Sequence, residues 1–514
     1  MKFTLTHLPI STFFYLISNF GILAQVVSYD FPDKLAVSQA YTVDVSGSHV
    51  PALQTKRGAF LSFGMMGPVE VKVKLGKTPE NVVVRPLSAG IRAEMDGDTF
   101  RFRLPRPMNL SVEINGDLNN PLLVFANPQL VDPPDRNDPK VKYFEAGKIH
   151  EAGEILLRDG ETLYIEGGAV VRGEVRARNA RNVSIRGAGI LDASQRKRKI
   201  NMLVLRECSD ALIENIILLD PLGWTMHISG STNIRVSNTR VVGWRANSDG
   251  LDIEYSSKVR VDGCFWRTND DCIAIKAIYP PGVQEIPFEE MINPETLGGH
   301  QVQRIEGDVM NDIIISNCVL WNDSGGQGFE IGFELRVDSI RGITFRDSDI
   351  IHVIGGGAFT IHNGDRAKIE DLLIEDIRVE DTDRLVDFHV GLSIYSDDCP
   401  SEFRRSNPRR KPIPATNLPV KANNPHQWYV PTSEALPLYE NNRGLVRNVI
   451  FRNVKVVAAP LTGSILHGYS AKRGISNVTF ENLEIEGRAV TTPEAAKLFL
   501  EHADHIRFLP SSNP

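Results

Sequence analysis

Cysteine is scarce in this chain, five among 514 residues, at positions 208, 264, 272, 318 and 399. The number is odd and no two have zinc-finger spacing, which excludes a disulfide scaffold and a zinc module. Cys264, Cys272 and Cys318 read as small apolar fillers of a core, with room left for one unassigned disulfide. Positive charge is not in excess either. With a formal net charge of −7 there is no electrostatic footprint for nucleic acid. Beyond the first two dozen residues no run of 18 consecutive apolar residues occurs, which excludes a membrane-spanning helix there.

Residues 1–24 read as a secretory signal. Lys2 supplies the charged start, an apolar stretch runs from Phe13 to Leu23, and Ala24 is a small residue ahead of Gln25. The mature protein is therefore expected to be secreted, free of the membrane and monomeric.

What the chain has in abundance is one short pattern: polar, apolar, variable, apolar, polar, then Asn, Asp or Gly. It occurs at Asn182–Gly187, Asp210–Asn215, Asn233–Asn238, Lys258–Gly263, Asp312–Asn317 and Gly342–Asp347. It returns at Asp371–Asp376, Asn448–Asn453 and Asn477–Asn482. Start-to-start distances are 28, 23, 25, 54, 30, 29, 77 and 29 residues, the two long ones fitting insertions or additional turns. Each copy is a short alternating strand closed by a turn former, and no helical period lies between copies. Strands at that spacing indicate an all-β solenoid, a parallel β-helix whose coils stack about 4.8 Å apart.

Residues 25–130 differ. Alternating strands such as Val69–Leu75, Phe100–Leu104 and Leu110–Ile114, joined by Gly, Pro and Asp turns, predict a small antiparallel β-sandwich. Residues 131–140, rich in Pro and Asp, are the linker. The β-helix then occupies 141–510, interrupted at 278–306 and 400–442. The second interruption carries a basic cluster at Arg404, Arg405, Arg409, Arg410 and Lys411, which reads as solvated surface.

Two segments stand out in the coil, Asn247-Ser-Asp-Gly250 and Asn269-Asp-Asp-Cys272. Asp249 and Asp271 are 22 residues apart in matching contexts. In a coil of that period they stack as neighbours, with Asp270 beside them. Crowded carboxylates drive their pKa values apart, which suits a general acid working with a general base. Aligning the strands puts Trp224, Asp249, Asp271 and Gln327 at equivalent positions, flanked by Asp252, Asp270, Lys276, Glu330 and His362. An aromatic, carboxylates and amides on one face suit a sugar, whose C–H face packs on a ring and whose hydroxyls bind polar groups. His227 and Asn247 complete the candidate sugar-binding set, and no metal or other cofactor is expected.

These residues resemble glycoside hydrolase family 28, the polygalacturonase group, over roughly residues 140–490. Asn247-Ser-Asp249, Asn269-Asp-Asp-Cys-Ile-Ala-Ile-Lys276 and Gly326-Gln-Gly328 carry the resemblance. It implies a right-handed parallel β-helix and a metal-free, inverting cleavage of glycosidic bonds. Asp271 or Asp270 would protonate the glycosidic oxygen, and the others, Asp249 foremost, would activate water. Two departures bear on the substrate. Gln327 stands where the family has a histidine, and Thr360-Ile-His362 stands where it has the Arg-Ile-Lys that grips a uronate. With Glu330 and Glu334 close by, a neutral glycan is the better expectation than polygalacturonate.

The order of domains also resembles glycoside hydrolase family 49, the dextranase and isopullulanase group, with Tyr143-Phe-Glu-Ala-Gly147 similar to its junction motif. The leading expectation is a secreted glycoside hydrolase acting on a polysaccharide or oligosaccharide. A polysaccharide lyase using a carboxylate-held cation, or a non-catalytic carbohydrate-binding solenoid, are the alternatives.

Overall fold

A computed structural model describes residues 25–129, 132–283, 307–400, 428–429, 431–458 and 461–510. The expected signal segment, the basic cluster at 404–411 and most of both insertions lie outside the described residues.

From Val141 onward, 31 strands among the described residues join into one wound sheet in which strands pair in parallel with their counterparts a coil later, apart from one antiparallel pair, Glu484–Ile485 with Arg488–Ala489, near its end. The fold is a parallel β-helix. One interior ladder runs Leu205, Ile228, Ile253, Ile275, Ile331, Ile361, Phe388 and Leu466, each in register with the next. Phe451, Phe480 and Phe508 stack in a second ladder with centroids 4.9 and 4.8 Å apart. Cys208, Cys264, Cys272 and Cys318 lie in this core as reduced thiols.

The recurring six-residue pattern has a backbone cause at both ends. Its first residue is left-handed in every copy, from Asn182 at φ 54° to Asn477 at φ 53°. So is its last, as at Asn215 (φ 64°), Asn238 (φ 47°) and Asn453 (φ 54°). Asn, Asp and Gly tolerate that conformation, and other L-residues pay for it. The Asn side chains also bond from coil to coil, Asn238 Nδ2 donating to Asn215 Oδ1 at 2.7 Å and Asn453 Nδ2 to Asp376 Oδ1 at 2.9 Å. Both long gaps prove to be insertions within single coils, since Val259 pairs Ile313 and Leu372 pairs Val449 directly.

Ahead of the coil stand a six-stranded and a five-stranded sheet with a shared core of Val71, Phe100, Val112 and Val124. The expected antiparallel order fails at one pair, because Leu122–Pro128 runs parallel to Gly58–Met66. This domain covers one side of the coil. Phe60, Leu123 and Phe125 pack against Ile217, Phe265 and Trp321, so coil strands on that side are buried on both faces. Polar groups tie the contact. Arg267 donates to the Arg57 and Leu118 carbonyls at 2.6 and 2.8 Å, and His352 bridges Glu113 (2.9 Å) and Asp381 (3.0 Å). At the junction the Gly147 amide donates to the Asp30 carbonyl at 2.9 Å.

Candidate active site

The register stacks the candidate residues as the sequence alignment does. Met226 pairs Leu251, Leu251 pairs Ile273, and Ile273 pairs Phe329. Two residues ahead of these, in the turns that lead into the strands, come Trp224, Asp249, Asp271 and Gln327. Backbone bonds join that tier: Thr225 N–H donates to the Asp249 carbonyl, Gly250 N–H to Asp271, and Cys272 N–H to Gln327, at 2.8–2.9 Å. The tier lies at a corner of the coil, on turns that leave the side covered by the sandwich.

Asp249, Asp270 and Asp271 each offer a carboxyl oxygen within 4.8 Å of the other two. The turns carrying them are fixed from several sides. Asn269 N–H donates to Ser248 Oγ (3.2 Å), while Thr268 Oγ1 and Asn322 Nδ2 donate to the Asp270 carbonyl at 2.5 and 2.7 Å. Gln327 N–H donates to Asp271 Oδ1 at 2.9 Å. Gly326 makes that approach possible, since a Cβ there would stand 2.3 Å from the Asp271 nitrogen.

Lys276 binds the cluster together. Its ammonium donates to Asp249 Oδ2 at 3.0 Å, stands 3.0 Å from Asp252 Oδ1, and lies 4.2 Å from the centroid of the Trp224 ring. Burial works against its charge, but Asp249, Asp252 and Asp271 outweigh burial and hold the lysine well above its ordinary value. Burial first, then the Asp249 charge, pushes Asp270 up to about 7. Burial and the charges of Asp270 and Asp249 push Asp271 well above the usual carboxylate range. The three oxygens are close enough for a cation to bridge, and the lysine already supplies positive charge there.

The remaining candidates divide by depth. Asn247 is half-buried, accepts from Lys199 Nζ at 2.6 Å and donates to Asp270 Oδ2 at 3.4 Å. Asp271 is 9% exposed, Trp224 4%, Glu330 1% and Asp252 0%, so only the first of these four has an open edge. Trp224 sits behind Lys276 and edge-on to His227, whose Nε2 is 2.8 Å from Glu254 Oε2. Gln327 Oε1 accepts from the Gly357 amide at 2.7 Å. His362 Nδ1 lies 3.0 Å from Glu330 Oε1, and its Nε2 3.9 Å from Asp387 Oδ1. Burial opposes its charge, yet Glu330 and Asp387 raise it to about 10, a paired imidazolium.

Residues 157–328 match the model of Glycosyl hydrolases family 28. The chain is family 28-like. A probable polygalacturonase of Arabidopsis thaliana is 29% identical over 125 residues, and the match spans 24% of this chain and 24% of that relative. Among solved structures, Dex49A from Penicillium minioluteum has a TM-score of 0.61 at 14% identity, covering 94% of this chain and 96% of its own. That likeness of fold takes in the sandwich as well as the coil, so the architecture of this family 28-like chain is also family 49-like. A hyperthermoactive exopolygalacturonase from Thermotoga maritima is 13% identical with a TM-score of 0.48, over 73% of this chain and 84% of that one.

Sequence reasoning missed several residues of this family 28-like site. Glu254 anchors His227 and accepts the Ile278 and Tyr279 amides at 2.7 and 2.8 Å. Asn201 Nδ2 meets His227 Nδ1 at 3.1 Å. Asp387 backs His362, and the Trp428 ring packs against His362 and His389 with centroids 5.7 and 3.9 Å away. Lys199 was legible only as part of the run Arg196-Lys-Arg-Lys199, four cations in a chain of net negative charge.

Proposed function

We propose that the protein hydrolyses O-glycosidic bonds in a polysaccharide or oligosaccharide, with the adjacent pair Asp270 and Asp271 supplying the general acid and Asp249 foremost in activating the attacking water. The observation that carries this reading is the convergence of three carboxyls in which Asp270 is raised to about 7 and Asp271 well above the usual carboxylate range, so that this pair holds a proton near neutrality. Asp249 is clamped to a lysine and so belongs on the basic side of the division of labour. Asp252 and Glu330, buried beneath the site, position Lys276 and His362 rather than touch sugar. An inverting course rests on the family resemblance alone, because the oxygens approach within 4.8 Å while inverting carboxyls stand about 6.5–9.5 Å apart.

On the side of the later coils the sugar is neutral in this reading. Lys276 is matched by Asp249 and Asp252, His362 by Glu330 and Asp387, and Arg384 by Asp387 at 3.0 Å. A uronate there would meet Glu330, Glu334 and Asp387 with no spare cation among these groups. The protein acts outside the cell, a reading supported by the apolar leader and tested by fractionation; its expected monomeric state is tested by sedimentation.

The test is reducing-end release from neutral and acidic polysaccharides, with Asp249→Asn, Asp270→Asn and Asp271→Asn compared at equal circular dichroism. Each variant is expected to lower kcat by about 10²-fold or more. Near-normal activity in all three ends the assignment. Activity that survives a chelator, without an unsaturated ultraviolet-absorbing product, separates hydrolysis from elimination.

A further inference from the structure

A second cleft opens at the far end of the strands that lead to the acids. The strand Phe265–Thr268 runs from Gly263 at one corner of the coil to Asn269 and Asp270 at the next, and its four residues span about 13 Å. The sandwich covers the strands between these corners. At the Gly263 corner the sandwich edge and the coil leave a cleft of about 700 Å³. That is the size of a ligand pocket rather than of a packing flaw. None of the candidate catalytic residues lines it.

One wall is a ladder. Successive coils bring the last residue of the repeated pattern here: Asn215, Asn238, Gly263, Asn317 and Asp347. They stack at about 4.8 Å per coil, close to the length of one pyranose, so the wall offers polar groups at the repeat of a sugar chain. Asn238 is occupied by Asn215 and Arg240, at 2.7 Å each. Asp262 accepts from Ser316 and Asn317 through Oδ1, at 2.8 and 2.7 Å, and among the described residues no bond reaches its Oδ2 or Asn317 Oδ1. Pro86, Pro107 and Met108 of the sandwich give the opposite wall an apolar surface. Of the charges in the lining, Arg378 is matched by Asp349 at 2.8 and 2.6 Å, leaving Arg106 against Asp262 and Asp347. That balance does not favour an anion. Both walls are also fixed in advance. Asn109 donates to the Gly263 carbonyl at 3.1 Å and accepts from Arg240 at 2.9 Å, while the Leu87 amide donates to Glu380. A preformed cleft binds without the cost of ordering itself.

We infer that this cleft is a second binding site for a neutral polysaccharide chain, apart from the acids. The ladder and Asp262 take the sugar hydroxyls, and Pro86, Pro107 and Met108 take the C–H face. A chain held there stays with the protein between cleavages and raises the local concentration of bonds at the acids. The choice of a glycan as ligand rests on the hydrolase reading above.

The experiment separates binding from cleavage. Calorimetry on the Asp270→Asn protein uses isomalto-, malto- and cello-oligosaccharides as neutral probes and oligogalacturonides of matched length as the anionic one. Ser88 lines the cleft from an exposed turn, so adding Ser88→Trp fills it and is expected to remove one bound neutral oligosaccharide per chain. Adding Asp262→Ala is expected to weaken that same site about fivefold, and Asp262→Asn to recover part of the loss. Circular dichroism and melting temperature establish that each variant is folded. Stoichiometry and affinity unchanged by both Ser88→Trp and Asp262→Ala, or no neutral probe bound at all, overturns the cleft site while leaving hydrolysis standing. Tighter binding of oligogalacturonides at the site that Ser88→Trp removes overturns the neutral chain. A cleft that binds while the wild type releases no reducing ends from any glycan overturns the hydrolase reading instead.

Discussion

Lys276 donates to Asp249 across one turn of the coil, at 3.0 Å, with the Trp224 ring closing over the ammonium. A single cation therefore sits beneath three carboxylates that would otherwise repel one another in a dry setting. Lys276→Met removes it. Turnover is expected to fall about 10²-fold or more. The fold is expected to lose about 3 kcal/mol, because breaking a buried ion pair strands the remaining charge. Steady-state kinetics beside urea denaturation checks both, and Lys276→Arg is expected to recover stability better than rate.

The raised Asp270 gives the pH profile a direction. The acid of the Asp270–Asp271 pair must be protonated, so kcat/KM is expected to fall as pH rises past about 7. Lys276 holds Asp270 down, so in any residual activity of Lys276→Met that limb moves to higher pH. The stability sign is the opposite of a salt-bridged carboxylate. The folded state binds this proton more tightly than the unfolded chain does, so stability declines as pH climbs from about 4 to about 7. Asp270→Asn is expected to flatten that slope in thermal melts.

Docking of the sandwich on the coil should respond to alkali through His352. Burial opposes its charge, but bonds to Asp381 and Glu113 raise its pKa above the ordinary 6.5. Its contribution is complete below the unfolded value and is lost as pH rises through the folded one. Wild-type melting temperature is expected to drop across that window, and His352→Gln to be less stable at pH 6 with a shallower decline above it. Equal slopes in both proteins would sink this assignment.

Lys258 opens one copy of the repeated pattern in the left-handed conformation, φ 55°, where the other copies carry Asn, Asp or Gly. It is exposed and stands between the coils of Asn233 and Asp312. Lys258→Asn is expected to stabilise the protein by about 1 kcal/mol by relieving the backbone cost. Asn453→Ala, which also loses the bond to Asp376, is expected to cost about 1–2 kcal/mol. Chemical denaturation midpoints decide both.

The repeat was legible because left-handed corners admit few residue types, so Asn182, Asn215, Asn238 and their counterparts announce the coil one turn at a time. The stacking of Trp224, Asp249, Asp271 and Gln327 followed from it, since register in a solenoid is fixed once corners and interior ladders are matched. Lys199, Glu254 and Asp387 were not legible in the same way. Their neighbours lie one coil or more away, and no local pattern says which way a polar side chain on the outer face will turn. The sandwich contact was hidden likewise, because residues such as Phe265 and Trp321 read as ordinary strand residues until a second surface covers them.

The sequence by itself determined the coil, its period and the three aspartates, because backbone conformation and alternation are local properties written every few residues. That Asp270 and Asp271 are held above the usual carboxylate range, and which cations are already matched, were decided by tertiary structure. Those depend on burial and on charges a few ångströms apart that lie 20 to 30 residues or more distant in the chain, such as Lys276 on Asp249 and Lys199 on Asn247.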